Sequence, residues 1–193
     1  GNILKEYSDF DNAKYFYKRA IKSNPEYGEA YYNLGSVLNE EKQYKEAIPL
    51  FKKAIALNPQ YAEAYNNLGT SFSGIKRFDQ AIDNFQHAVK LKPKCAETHN
   101  NLGGALSNSH EFENAKVQFK KAIIIDPKDS TSYYNLGLVY YRQSQYEKAI
   151  IELKKALYLN PNWAEGYNRL GKALINIGDL DEAKRHFEKS LEI

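Results

Sequence analysis

Asparagine recurs at Asn33, Asn67, Asn101 and Asn135, and Arg169 takes the next place in the same column. Each step is 34 residues. A primary amide carries a donor and an acceptor on one planar group. A peptide backbone presents the same pair, so a column of amides is suited to holding an extended chain without reading its side chains. Asn is a mediocre helix former, so its return in one column asks for a reason. Two reasons stand open. The amides contact a bound peptide, or they tie neighbouring helices to one another.

Other chemistry is thinly supplied. His87, His99, His110 and His186 lack metal-ligand spacing. No glycine-rich phosphate loop follows a strand pattern. Carboxylates recur with helix surfaces instead of converging on a site. Cys95 is the one cysteine, which excludes a disulfide framework and a cysteine-rich zinc module. The expectation is a chain with no catalytic constellation, no cofactor and no metal, in the cytoplasm or another reducing compartment.

The elements that must position the amides follow the same clock. Pro25, Pro59, Pro93, Pro127 and Pro161 are 34 residues apart, as are the Leu-Gly pairs that begin at Leu34, Leu68, Leu102, Leu136 and Leu170. Ala13, Ala47, Ala81, Ala115, Ala149 and Ala183 keep the period too, and a second alanine follows seven residues later in all but the last copy. Several independent columns sharing one period mark a solenoid. Within each period the apolar spacing gives two helices, as in Tyr44, Ala47, Ile48, Phe51, Ala54 and Ile55. The proline ends the second helix, because the residue before it is pushed out of the helical region. Gly35, Gly69, Gly103, Gly137 and Gly171 each fall inside a first helix, where Gly costs about 1 kcal/mol relative to Ala. Close approach of the second helix is the expected return.

Composition agrees with a folded, water-facing chain. Of 193 residues, 42% are hydrophobic, yet no run approaches the roughly 18–20 apolar residues of a membrane span, so membrane insertion is not expected. With 16 Tyr and 9 Phe, a disordered chain is not expected. Twenty-seven Lys and Arg stand against 24 Asp and Glu, a net charge of +3, too balanced to imply nucleic acid. The Lys18-Arg19, Lys52-Lys53, Lys120-Lys121 and Lys154-Lys155 pairs lie towards the ends of second helices, where cations complement the helix dipole.

The segment Ala62-Glu-Ala-Tyr-Asn-Asn-Leu-Gly69, with Ala81, Phe85, Ala88 and Pro93 after it, resembles the tetratricopeptide repeat (TPR) signature almost column for column. The resemblance covers the whole chain. It implies an all-α, right-handed superhelical solenoid of 34-residue helix-turn-helix units. The expected division is a partial repeat at 1–27, full repeats at 28–61, 62–95, 96–129 and 130–163, and a nearly complete one at 164–193. By this register Gly1 is a first-helix glycine, Ile193 stops short of a sixth proline, and the chain has no Met. A stretch of a longer protein is therefore expected, with Ile3, Leu4, Phe187 and Leu191 partly bare.

In the TPR family the first helices line a concave wall. The resemblance thus puts the asparagine column there, beside Tyr32, Asn66, Asn100 and Tyr134, with Arg169 and Lys172 at the carboxyl end. Helices pack about 8–10 Å apart and an extended chain advances roughly 3.3 Å per residue, so the column would clamp about every third peptide residue. Arg169 and Lys172 would receive an acidic group. The column also resembles the one in the repeat region of O-linked N-acetylglucosamine transferases. A chaperone-tail clamp fits poorly, because Glu165, Gly104 and Asn100 stand where that subgroup needs Lys, Asn and Lys. The reading is a scaffold that recruits a protein or peptide partner in an extended conformation. The alternatives are the substrate-recruiting arm of a protein O-glycosyltransferase, and a scaffold that self-associates through exposed ends.

Overall fold

A computed structural model describes residues 2–193, with side chains from Phe10 onward. The positions of Gly1 and of the Ile3 and Leu4 side chains lie outside the described residues. Every element among the described residues is an α-helix. The chain divides into two compact units, the first ending at Pro93 and the second running from Lys94 to Ile193.

The first unit holds α1 (Asn2–Ser23), α2 (Gly28–Glu40), α3 (Tyr44–Leu57), α4 (Ala62–Gly74) and α5 (Phe78–Leu91). Each helix packs on the next, and α2 also touches α4. The second unit holds α6 (Ala96–Asn108), α7 (Phe112–Ile125), α8 (Ser130–Arg142), α9 (Tyr146–Leu159), α10 (Ala164–Asn176) and α11 (Leu180–Glu192). Here too successive helices pack, and α8 touches both α6 and α10. Both units are all-α helical repeats in which first helices neighbour first helices. Where the register would put the end of a first helix, α1 instead runs unbroken. Continuing the helix satisfies backbone groups that a separate short turn would leave open.

The turns follow from local chemistry. Before three of the periodic prolines, a side chain closes the bend: Asn24 Oδ1 accepts from the Glu26 N–H, Asn58 Oδ1 from Gln60, and Asp126 Oδ1 from Lys128, at 3.0–3.1 Å. These are Asx turns, which pre-shape the backbone for the next helix. The turn inside each helix pair needs a left-handed residue. Lys42, Lys76, His110 and Ser144 hold φ between 58° and 63°, and Gly178 holds 84°. Only the last is the residue type that takes this conformation without steric cost.

The core sits between the two helices of each pair. The alanine columns are sealed: Ala47, Ala54, Ala81, Ala88, Ala115, Ala122, Ala149 and Ala156 are at most 1% exposed. Phe51, Phe85, Phe119 and Leu153 fill the seam at 2% exposure or less. The first-helix glycines make room for them. A Cβ on Gly35 would stand 2.9 Å from Phe51, on Gly69 2.7 Å from Phe85, and on Gly137 2.9 Å from Leu153. The close approach expected from the sequence is therefore a glycine receiving the large side chain 16 residues later.

Candidate functional site

The asparagine column lies on the first helices. Asn33, Asn67, Asn101 and Asn135 are half-buried on α2, α4, α6 and α8, and Arg169 is half-buried on α10. The surroundings set what each can do. In the first unit, Asn67 Nδ2 donates to Ser36 Oγ at 3.2 Å and to the Tyr32 hydroxyl at 3.3 Å. The next layer reinforces the junction. Asn39 Nδ2 donates to the Asn67 carbonyl at 3.1 Å, and Ser71 Oγ donates to Asn39 Oδ1 at 2.7 Å. Ser71 is fully buried, so its hydroxyl needs such partners.

In the second unit, Asn135 Nδ2 donates to Asn100 Oδ1 at 3.1 Å. At the end of the same helix, Arg142 Nη1 donates to Ser107 Oγ at 2.9 Å. The amides thus serve as ties between neighbouring first helices. The Nδ2 of Asn67 and of Asn135 ties its helix to the preceding first helix. Among the described residues, the Oδ1 of each takes no hydrogen bond, and Asn33 makes none with either side-chain atom.

The other expected positions divide by exposure. Asn66 is 8% exposed and Tyr134 6%, so both are walled in and present little surface. Tyr134 packs its ring 4.4 Å from that of Trp163, and its buried hydroxyl neighbours Glu165 and Arg169. Burial, then the neighbouring Glu165, push that hydroxyl above its ordinary pKa. Arg169 Nη2 lies 3.3 Å from Glu165 one turn earlier, which already balances its charge. Lys172 is exposed. Tyr32 is half-buried beside Tyr61, ring centroids 4.8 Å apart, and burial pushes the Tyr61 hydroxyl up to about 12.

Asn39 and Ser107, outside the asparagine column, also join layers. The signal was present as polar residues recurring six places after the asparagine column. His99, which replaces an aromatic residue of the repeat pattern, is buried at 3% exposure with Nδ1 2.8 Å from Gln118 Oε1. Among the described residues no group of three or more His, Cys, Asp or Glu could hold a metal ion, and no helix is long and apolar enough to cross a membrane.

Family models described as tetratricopeptide repeat match residues 26–94, 130–162 and 164–193, and one described as TPR repeat matches 110–144. The chain belongs to the tetratricopeptide repeat family. No curated protein sequence matches it with significance. Among solved structures, it resembles MamA at 29% identity and a TM-score of 0.75, over 82% of this chain and 93% of that one. It resembles TTC0263, a thermophilic TPR protein of Thermus thermophilus, at 26% identity and 0.72, over 86% and 90%. YrrB, described as a TPR protein with an unusual peptide-binding site, shares the fold at 18% identity and 0.71, over 91% of both chains. A TPR array is typically an interaction module, and this chain is a protein-interaction scaffold of that kind.

Proposed function

We propose that the first-helix faces recruit a protein partner in an extended conformation, gripping its backbone through the asparagine column. The observation that supports this reading is the state of the amides. Asn67 and Asn135 are held by their Nδ2 atoms, which fixes the amide plane and leaves Oδ1 as an oriented acceptor. An acceptor held in place before binding avoids an ordering cost at the moment of binding. Asn33 carries the same group with no intramolecular hydrogen bond to break. A backbone grip tolerates many sequences, so the partners expected are several proteins sharing an extended segment rather than one shared side-chain pattern.

The test is a pull-down from lysate read by mass spectrometry. It compares the chain with an Asn67→Ala, Asn101→Ala, Asn135→Ala triple variant and with Asn33→Ala alone, circular dichroism checking each fold. Loss of many unrelated proteins together, in both variants, is the expected result. Retention of the same partners by Asn33→Ala and by a folded triple variant would remove the asparagines from binding and leave them as joints between helices.

A further inference from the structure

Between α6 and α8 lies a cleft of about 120 Å³, lined by Gly104, Ser107, Phe119, Asn135, Leu138 and Arg142 among others. It exists because position 104 has no side chain. A Cβ there would meet nothing within 4 Å. The same column elsewhere carries Ser36, Thr70, Leu138 and Lys172, so the notch occurs once. The mouth of the cleft is equally singular. The Arg142 column reads Glu40, Gly74, Asn108, Arg142 and Asn176, so a cation stands there once.

Arg142 is held in place. Its Nη1 donates to Ser107 Oγ at 2.9 Å and to the Ser107 carbonyl at 3.3 Å, and Ser107 is itself 6% exposed. A guanidinium has five N–H donors, so most remain for a ligand. Among the described residues no carboxylate lies within ion-pair distance of Arg142, whereas Arg169 faces Glu165 and Lys116 faces Glu113. The cleft thus joins an anchored, unneutralised cation to the half-buried apolar side chain of Leu138, with Phe119 beneath it.

We infer that this cleft is a subsite for one acidic side chain, a glutamate or an aspartate, of the extended partner. The carboxylate pairs with Arg142, and the methylene groups enter the notch at Gly104. A charge-assisted guanidinium–carboxylate bond is about twice as strong as a neutral one, so a neutral amide of the same shape binds less well. The inference rests on the proposed recruitment along the first-helix faces and adds a preference at one position to a grip that otherwise ignores sequence.

The probe is N-acetyl-glutamate N-methylamide, titrated into the full isotope-labelled chain, with the glutamine analogue as control. The resonances followed are the Gly104 backbone amide and the Arg142 Nε–H. A saturable shift at Gly104, about tenfold tighter for glutamate than for glutamine, is expected, lost in Arg142→Gln and in Gly104→Leu. Equal binding of the two analogues, or unchanged binding to Arg142→Gln, would overturn the subsite. Arg142 is exposed at the end of α8, so its variant decides the matter even where Gly104→Leu fails to fold. The two readings fail separately. If the glutamate probe binds as expected but Asn33→Ala and the folded triple variant both capture the usual partners, recruitment falls and the subsite stands. If capture depends on Asn33 while both analogues bind alike, the subsite falls and recruitment stands.

Discussion

Gly103 and Phe119 meet so closely that a Cβ on Gly103 would stand 2.7 Å from the Cε1 of the ring. The next residue, Gly104, faces open space. Two adjacent glycines in one helix therefore serve opposite ends. Gly103→Ala gains helix propensity of about 1 kcal/mol, but overpacking against a buried ring costs about 1–3 kcal/mol. A net destabilisation of up to about 2 kcal/mol is expected. Gly104→Ala carries only the gain and should stabilise by up to about 1 kcal/mol. Urea denaturation of both variants checks the contrast, and a loss of similar size at both positions would refute it.

The left-handed turn residues offer a second test. A side chain in that region costs roughly 1–2 kcal/mol, against the extra backbone freedom that Gly loses on folding, roughly 0.5–1 kcal/mol. Ser144→Gly and Lys76→Gly should each raise stability by about 0.5–1 kcal/mol. Gly178→Ala, at φ 84°, should lower it by about 1 kcal/mol. Thermal melts followed by circular dichroism report both signs. Opposite signs would mean that these turns relax away from the left-handed region.

Stability and capture should separate along the asparagine column. Asn67→Ala removes two hydrogen bonds between α2 and α4 and should cost about 1 kcal/mol. Asn33→Ala removes none and should leave the stability within about 0.5 kcal/mol of the parent. An equal loss at both sites would show that Asn33 has a structural partner after all.

The pH dependence has a definite sign. The Lys92 hydrogen bond holds the Glu63 carboxyl below its ordinary 4.5, and Lys154 does the same for Glu182, with His186 adding to it. Their folded values lie below the unfolded ones, so their stabilisation is whole above about 4.5 and fades as the pH falls through the folded values. Glu152 runs the other way. Burial raises its carboxyl, with Lys120 partly opposing, so its ionised form weakens the fold at neutral pH. Melting midpoints across pH 3–7 should fall more shallowly on the acid side for Glu182→Gln. Glu152→Gln should melt above the parent at pH 7, with the difference vanishing in acid. A Glu182→Gln profile parallel to the parent would count against the Lys154 pair.

The period made the helix pairs readable because apolar spacing, proline and the small-residue columns all repeat together. The Gly103 contact was readable as a close approach, but its partner was not, since several residues of the second helix lie on the same face. Lys42, Lys76 and Ser144 gave no warning of a left-handed backbone, because none is a residue type that favours it. Asn67 and Asn135 were legible as polar residues on the right face. Which atom each commits depends on Tyr32, Ser36 and Asn100, groups about one repeat away whose approach only packing decides. The Gly104 notch depends likewise on Phe119 and Arg142 arriving from other helices.

The ties between first helices span about one period each: Asn67 to Tyr32, Arg142 to Ser107, Asn135 to Asn100. Under a stretching force, loss of the junction between α2 and α4 in the first unit, or between α6 and α8 in the second, would free one helix pair. At roughly 3.3–3.6 Å per extended residue, one such event releases on the order of 120 Å of contour. Each of these junctions thus acts as a clasp on about one repeat of chain.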